Sequence, residues 1–323
     1  MLNSFINYKL CYKYCFIIIF IIINLTYSYS SNKFNHNNEK CKNELLSVLN
    51  KKLHKEFWYD KKRLAKAKTI YLSRTSYKYY EFKNIYCASN LEKLNLANII
   101  IKNSDKIMPY LVKLKKLKYL RITSPNFSNK GMKYLKSMRT LESLHLENTN
   151  IDDNGILNLI YLKELKVLDL SKTKISDRAM FVITKLKNLE ELYLHTLSIG
   201  DNSFKHLKNL SKLKKLSIHG TNVTNNGIKY INRLKKIEYL YLGNNNISNR
   251  CLLYLIPLKK LQVLFIDKTK ITDNGIPNII KIKNLERIYL DYTKITKAGA
   301  LELKKMHPNK NLRIYHHAFR FGL

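Results

Sequence analysis

Apolar residues recur along most of the chain in a pattern that repeats every 24 residues after the first complete unit. The first half of each repeat has the form L-x-x-L-x-L, in which apolar and polar positions alternate. This alternation is typical of a β-strand with one buried face. After a degenerate unit at Ala67, the units begin at Leu91, Leu117, Leu141, Leu165, Leu189, Leu213, Ile237, Leu261 and Leu285.

The second half of each repeat predicts a short helix. Apolar residues recur three apart, as at Ile156, Leu159 and Leu162, and would share one face of a helix of two or three turns. Side-chain oxygens suited to cap such helices are found at Asp152, Ser176, Thr224, Ser248 and Thr272. Carboxylates at the next position, interpreted as structural caps rather than as catalytic groups, are Asp153, Asp177, Asp201 and Asp273. Each unit is therefore predicted to contain a strand, a turn and a helix.

The combined pattern, LxxLxLxxTxITDxGLxxLxxL, resembles the leucine-rich-repeat superfamily and, within it, the ribonuclease-inhibitor-like class. The resemblance covers residues 67–323. It implies an α/β solenoid, a right-handed superhelix with parallel strands on its concave face and short helices on its convex face. The segment from Lys304 to Ile314 resembles the closing unit of such arrays, and residues 41–66 are predicted to form an N-terminal helical cap.

Members of this superfamily are mostly binding scaffolds, including inhibitors, receptors and substrate adaptors of ubiquitin ligases. An adaptor would need an F-box, and residues 41–66 lack the Pro and Leu spacing of that motif. The resemblance therefore implies a protein-binding scaffold that uses its concave face, with the adaptor kept as an alternative.

The N-terminal segment, residues 1–30, has the order of a secretory signal. Lysines precede the apolar run Phe16–Ile23, and small residues follow it up to Ser30, at the spacing that signal peptidase uses. The run is shorter than the ~20 residues that span a bilayer, which favours a cleaved signal peptide over a signal anchor and leaves both open. Residues 31–40 are predicted to be a disordered polar leader. The predicted location is the secretory pathway, with a secreted or membrane-anchored product.

Three cysteines lie beyond the signal segment: Cys41, Cys87 and Cys251. A bridge between Cys41 and Cys87 could form in an oxidising compartment, and three free thiols are the alternative. The chain has no C-x-x-C pair, which argues against a zinc or thioredoxin-like site.

Charge is strongly unbalanced, with 59 Lys and Arg residues against 23 Asp and Glu residues and a net charge of +36. Taken alone, this suggests nucleic acid, anionic membrane or acidic partners. The predicted concave face consists of positions 3, 5 and 7, counted from the first residue of each unit. Its charged residues nearly balance: Lys93, Arg121, Lys215 and Arg287 against Glu147, Asp169, Glu191, Asp267 and Asp291. The surplus lysines fall in turns and at helix ends, which argues against a nucleic-acid groove and leaves a membrane surface as an alternative partner.

Aromatic residues cluster on the concave-face positions of the last five repeats. Neighbouring strands lie about 4.8 Å apart, so these side chains would form one patch with two carboxylates beside it. Such a patch suits a protein or peptide partner that carries basic groups, although strands favour aromatic residues in any case. The predicted partner-binding residues are Tyr193, Tyr239, Tyr241, Phe265, Asp267, Tyr289 and Asp291.

Catalytic and metal-binding patterns are weak by comparison. His195 and His219 are predicted cross-strand neighbours, with Glu147 two strands away from His195. A metal site needs three or four convergent ligands, so no metal is predicted. No catalytic residue, cofactor or small-molecule substrate is predicted either. The predicted function is a non-enzymatic protein-binding scaffold, with a basic surface scaffold on anionic membrane or nucleic acid as the alternative.

Overall fold

The computed structural model describes residues 36–52, 61–72 and 76–319. The predicted signal segment and the first half of the predicted polar leader lie outside the described residues. The chain forms two compact units, one ending at Phe127 and the other beginning at Ser128. Both units are built from short parallel strands joined by turns and short helices.

The first unit begins with two helices, which occupy most of the range predicted as a cap. They are α1 (His36–Lys52) and α2 (Lys61–Lys66), and α1 starts inside the stretch expected to be a disordered leader. Three strands follow, each parallel to the next: β1 (Thr69–Tyr71), β2 (Lys93–Ala97) and β3 (Tyr119–Thr123). The connections contain α3 (Met108–Leu111) and the 3-10 helices Tyr79–Phe82, Ile85–Cys87 and Ser104–Ile107.

A disulfide ties α1 to the body of the first unit. Cys41 on α1 is bonded to Cys87, with the two Cα atoms 6.2 Å apart. Of the two sequence alternatives, the structure therefore has the bridge. Cys251, in the second unit, is a buried free thiol, and burial raises its pKa to about 12.

The second unit contains eight parallel strands, each paired with the next. They are β4 (Ser143–His145), β5 (Val167–Asp169), β6 (Glu191–Tyr193), β7 (Lys215–Ser217), β8 (Tyr239–Tyr241), β9 (Val263–Phe265), β10 (Arg287–Tyr289) and β11 (Arg313–Tyr315). Aligned residues stand 24 apart in sequence, as in the pair Asp169 and Tyr193. The last pair differs, because Tyr289 aligns with Tyr315.

Helical segments return the chain from each strand to the next. The α-helices are α4 (Asn129–Met132), α5 (Asp153–Ile156), α6 (Met180–Ile183), α7 (Asn225–Ile228), α8 (Arg250–Leu255), α9 (Ile276–Ile280) and α10 (Lys297–Met306). The 3-10 helices are Leu135–Ser137, Leu157–Tyr161, Asp177–Ala179, Asp201–Phe204, Leu207–Asn209, Ile231–Arg233 and Asp273–Gly275.

The predicted helix of two or three turns occurs in several repeats as an α-helical turn joined to a 3-10 segment, as over residues 153–161, and not as one continuous α-helix. A three-turn α-helix needs about 11 residues, and a repeat of this length cannot hold one beside its strand and two turns. Most repeats instead use a single α-helical turn, a 3-10 segment, or one followed by the other. Only the closing segment accommodates a longer helix, the ten-residue α10.

The core lies between the strands and the helical segments, as the periodicity predicts. Leu165, Leu168 and Leu170 in one strand region are fully buried. Ile156 and Leu159, on the helical side of the preceding repeat, are also fully buried. Burying a side chain of this size contributes about 1.5–3 kcal/mol, and the repetition of these rows accounts for the stability of the array.

Helix capping agrees with the sequence interpretation at three of five positions. The side chains of Asp152, Ser176 and Thr224 accept hydrogen bonds from the backbone N–H groups of the first helical turn. Thr272 precedes a 3-10 helix without making such a bond, and α8 has Asn249 rather than Ser248 at its N-cap.

The recurrent carboxylates join repeats instead of capping helices. Asp153 Oδ1 accepts a hydrogen bond from the Ser176 N–H at 2.8 Å, and Asp201 Oδ1 accepts one from the Thr224 N–H at 2.7 Å. Asp273 receives the N–H of Thr296 in the same way. These residues are structural, as expected, but each one fixes the start of the next repeat's helix.

In the second unit, a residue with left-handed backbone geometry lies three positions after the end of each strand from β4 to β10. In the second unit this position is eighth in the repeat and has positive φ in seven successive units: Asn148, Lys172, Thr196, Gly220, Asn244, Lys268 and Tyr292. Glycine and asparagine tolerate this conformation best. Thr196 is the least suited occupant, because its β-branched side chain disfavours a φ of 57°.

Candidate binding face

The solvent-facing side of the second unit's strands is called the strand face here. Its side chains come from position 3 and position 5 within each strand, and from position 7 just after it. Cross-strand pairing aligns position-5 residues in one row: His145, Asp169, Tyr193, Ser217, Tyr241, Phe265, Tyr289 and Tyr315. The chemistry of this row changes from polar at its start to aromatic at its end.

Four aromatic rings in this row stack on one another. Tyr241, Phe265, Tyr289 and Tyr315, together called the aromatic ladder, have successive centroid distances of 4.4, 3.8 and 4.3 Å. The planes of successive rings differ by 17°, 5° and 4°. The parallel strands determine this spacing, because adjacent strands lie about 4.8 Å apart.

The stacking determines which part of each ring a partner can reach. Ring faces inside the ladder are covered by neighbouring rings, so the edges and the tyrosine hydroxyls are the parts left for contact. All four residues are partly exposed. Ring edges carry partial positive charge and suit apolar side chains or carbonyl oxygens, whereas a cation needs an uncovered ring face. The ladder therefore offers an apolar contact rather than a series of cation sites.

Two predicted aromatic residues lie outside the ladder and surround a lysine. Lys215 Nζ lies 5.2 Å from the ring centroid of Tyr239 and 5.9 Å from that of Tyr193. The same ammonium is 3.2 Å from Glu191, which accepts a hydrogen bond from the Tyr193 hydroxyl. Burial and this hydrogen bond both raise the pKa of Tyr193. These groups satisfy one another and leave little unpaired charge for a ligand.

The two predicted carboxylates lie shortly after strands β9 and β10, which carry rings of the aromatic ladder. Asp267 and Asp291 are partly exposed and stand two residues after Phe265 and Tyr289. A Cβ atom at Gly243 would collide with the Asp267 carboxylate. The glycine therefore makes room for Asp267 over the neighbouring strand end.

A second group of functional side chains lies at the start of the row. His145, Glu147 and Asp169 each offer a ligand atom, and these three atoms lie within 4.8 Å of one another. They are called the polar triad here. The Nδ1 atom of His145 is 3.9 Å from Oδ2 of Asp169, and the two side chains are 17% and 14% exposed. The triad could hold a cation. It was not identified from the sequence, because Glu147 was compared with His195 and not with His145, which lies two residues before it.

Electrostatics around the triad favour ionised Asp169. Burial alone would raise its pKa, but hydrogen bonds involving His145 and Ser171 outweigh burial, and the pKa lies below its usual value. The pKa of the neighbouring His195, by contrast, shifts in the direction that favours its uncharged form. Burial lowers its pKa, and the nearby Asp169 only partly opposes this effect.

The ladder also extends beyond the predicted patch. Tyr315 was not among the predicted residues, although the triplet Arg313-Ile314-Tyr315 repeats Arg287-Ile288-Tyr289. Reading that repetition as a further strand would have found it. The structure thus brings together Tyr241, Phe265 and Tyr289, adds Tyr315, and separates Tyr193 and Tyr239 from the stack.

A few lysines of the second unit form ion pairs with glutamates on or beside the strand face. Lys166 pairs with Glu142 and Lys214 pairs with Glu190, each at 2.7 Å. Such exposed pairs contribute little to stability, because solvent and salt screen the attraction between their charges. Other lysines, including Lys259, Lys283 and Lys294, are exposed on the turns and helix ends where the sequence placed them.

Among the described residues, every helix is too short or too polar to cross a membrane.

Comparison with known proteins supports the repeat and the fold. A family profile described as Leucine Rich repeat matches residues 137–159. No curated protein matches the chain in sequence. Among solved structures, an internalin (inlF) from Listeria monocytogenes matches at a TM-score of 0.50 with 18% identity. The match covers 85% of this chain and 93% of that chain.

A plant receptor shows a similar likeness. The leucine-rich-repeat ectodomain of the membrane receptor kinase GASSHO1/SCHENGEN3 from Arabidopsis thaliana, solved in complex with CASPARIAN STRIP INTEGRITY FACTOR 2, matches at a TM-score of 0.50 with 18% identity. That match covers 77% of this chain and 32% of the receptor chain. Likeness at this identity shows the fold, and the ribonuclease-inhibitor-like class stays a prediction. One repeat of the chain thus matches a leucine-rich-repeat model, and the chain has the fold of leucine-rich-repeat solenoids.

Proposed function

We propose that this chain is a non-enzymatic scaffold that binds a protein or peptide on its strand face, with the aromatic ladder as the apolar centre of the site. The carrying observation is the uninterrupted stack of Tyr241, Phe265, Tyr289 and Tyr315. Partly exposed aromatic side chains held by a rigid sheet lose little conformational entropy when a partner binds. The aromatic ladder supports binding better than it supports catalysis, because its four side chains include no carboxylate, imidazole or thiol.

The chemistry of the partner follows from the ladder and its flank. Apolar side chains suit the exposed ring edges, and Asp267 and Asp291 would attract Lys or Arg residues of the same segment. The receptor ectodomain of similar fold was solved with another protein factor, which is consistent with a scaffold that captures a partner. We infer a segment with alternating apolar and basic residues.

Peptide selection tests this proposal without a known partner. The full chain is immobilised and used to select peptides from a random display library, and affinities are measured for the variant Y241A/F265A/Y289A. We expect selected peptides rich in apolar and basic residues, and at least a 100-fold loss of affinity in the variant, since hot-spot truncations cost ~2 kcal/mol or more.

A charge variant provides the matched control. K259Q/K283Q/K294Q changes three exposed residues away from the strand face and should bind the same peptides within about threefold, a difference below 1 kcal/mol. Peptides that bind the aromatic variant as tightly as the parent protein would sink the proposal. Loss of binding in the lysine variant alone would indicate that the binding site lies on the basic surface and not on the strand face.

A second candidate function is attachment to an anionic surface. Lys259, Lys260 and Lys283 line one groove, but Glu238 and Glu286 line it as well and reduce its positive potential. Sedimentation with phosphatidylserine vesicles tests this candidate directly. Binding that disappears in the lysine variant and persists in the aromatic variant would favour it over the peptide-binding function.

We also propose that the protein acts outside the cytosol. The disulfide between Cys41 and Cys87 supports an oxidising compartment, and the order of residues 1–30 is that of a secretory signal. Expression with an epitope tag at the C-terminus, followed by assay of medium, membrane and cytosol, tests the proposal. Recovery of the chain in the cytosol with both cysteines reduced would contradict it.

A further inference from the structure

The polar triad lies at the opposite end of the position-5 row from the aromatic ladder. His145 and Glu147 come from one strand region, and Asp169 comes from the next strand. Their three ligand atoms lie within 4.8 Å of one another. An imidazole and two carboxylates from adjacent strand regions therefore converge at one point of the strand face.

Hydrogen bonds outside the triad orient two of its members. His145 Nε2 lies 3.0 Å from Ser143 Oγ, so a neutral ring that carries its proton on Nε2 donates to that hydroxyl and leaves Nδ1 as a ligand. The Ser171 N–H donates to Asp169 Oδ1 at 3.0 Å, which leaves Oδ2 directed toward His145. Partners of this kind fix the ring and carboxylate orientation in protein metal sites.

The donor set determines the class of ion. One nitrogen and two carboxylate oxygens suit a borderline divalent ion such as Zn²⁺, whereas Ca²⁺ and Mg²⁺ prefer oxygen ligands alone. Ligands at ~2.0–2.2 Å around a tetrahedral Zn²⁺ stand roughly 3.3 Å apart. The 3.9 Å between His145 Nδ1 and Asp169 Oδ2 is therefore about half an ångström wider than a bound ion would require. Small side-chain rotations cover that difference.

We propose that His145, Glu147 and Asp169 form a Zn²⁺ site with one coordination position open toward solvent. Three protein ligands leave that fourth position for water or for a side chain of a bound partner. The site does not depend on the aromatic ladder, and it provides a second binding chemistry on the same face. The competing explanation is a metal-free cluster in which the three side chains are held by contacts with one another and with neighbouring residues.

Calorimetric titration of ZnCl₂ into the chelator-treated full chain separates these explanations. We expect one ion per chain bound through the triad, and at least a tenfold weaker affinity in each of H145Q, E147Q and D169N. The control is E191Q, which removes a carboxylate from the same face outside the triad and should leave the affinity within twofold, about 0.4 kcal/mol. Replacement by Co²⁺ should give the visible absorption of a four-coordinate ion in the parent protein and not in D169N.

A chemical measurement on the parent protein avoids dependence on variants. Diethyl pyrocarbonate should modify His145 more slowly when Zn²⁺ is bound, whereas modification of the exposed His206 should stay unchanged, as read by peptide mass spectrometry. Absence of Zn²⁺ binding, equal affinity in H145Q and D169N, or protection of other histidines with none at His145 would each overturn the proposal.

Discussion

The two ends of the strand face share one backbone and differ completely in chemistry. Strands β4 and β5 present His145 and Asp169 at position 5, whereas β8 to β11 present the aromatic ladder at that position. Beneath both ends the buried side chains are the same type, with Leu168 and Leu264 fully enclosed. The buried rows therefore determine the fold, while the exposed row is free to carry different binding chemistry.

The scaffold nevertheless constrains what each end can do. Parallel strands at about 4.8 Å spacing allow flat rings to stack in register, and this spacing produces the ladder. Like charges at the same spacing repel one another. At the polar end the histidine His145 stands beside Asp169 and Glu147, and a tyrosine occupies the next strand.

Truncating the shared buried row should have the largest effect. L168A beneath the polar end and L264A beneath the aromatic end should each lower the free energy of unfolding by about 2–5 kcal/mol. Both side chains are fully buried, so the two losses should be similar. Urea unfolding followed by circular dichroism measures them, and a loss at one end more than twice that at the other would contradict a uniform core.

Breaking the ladder should have a smaller effect that is confined to the aromatic end. Phe265 stacks on two rings and Tyr315 on one. F265L retains an apolar side chain but removes two stacked pairs, which are worth about 0.5–1.5 kcal/mol each. The expected loss in the free energy of unfolding is about 1–3 kcal/mol for F265L and roughly half as much for Y315L.

The ratio of these two losses is the informative quantity. Y315L serves as the matched control, because it removes one aromatic ring from the end of the same stack. Equal losses in urea unfolding would mean that the stacking itself adds nothing to ordinary burial.

Sequence periodicity predicted the fold well because every repeat reports on the same structure. The rows containing Leu165, Leu168 and Leu170 are buried as predicted. The mixture of α-helical and 3-10 geometry was not predicted, since periodicity reveals which face is buried but not which type of helix supplies it. Asp153 and its equivalents were recognised as structural, but their partners lie in the following repeat and cannot be read within one unit.

The candidate site was only partly predictable. Position counting found Tyr241, Phe265 and Tyr289, because strand register carries them into one row. Tyr315 escaped this count because its strand follows a closing segment of different length. The polar triad depends on the approach of side chains from two strands, and sequence spacing gives the alignment of residues but not the direction of their ligand atoms.

Acidification should lower the stability of the closing segment, because this segment contains a buried histidine. His307 is fully buried, its Nε2 atom is 3.3 Å from the Ile282 carbonyl oxygen, and its Nδ1 accepts the Asn309 N–H. Burial lowers its pKa more strongly than the Ile282 carbonyl raises it. Because the folded-state pKa is lower than the unfolded-state pKa, the free energy of unfolding is highest above the unfolded-state pKa. It falls as the pH drops below the unfolded-state pKa towards the folded-state pKa.

The variant H307Q should therefore lose less stability than the parent protein between about pH 7.5 and about pH 5. Urea unfolding at a series of pH values measures the difference. H206Q changes an exposed histidine and should reproduce the pH dependence of the parent. Identical pH profiles for H307Q and the parent would show that His307 does not couple folding to protonation.

The smallest expected effect comes from the turn that separates the two ends. Thr196 has a φ of 57°, while Asn148 occupies the equivalent position after β4 with a φ of 56°. Asparagine tolerates this left-handed conformation better than a β-branched residue does, so T196N should raise the free energy of unfolding by about 0.5–1 kcal/mol. The reciprocal variant N148T should lower it by a similar amount, because the backbone is nearly the same at both turns. Urea unfolding of the two variants measures both changes. Changes of the same sign would mean that contacts specific to each turn, and not the shared backbone geometry, decide which residue is tolerated there.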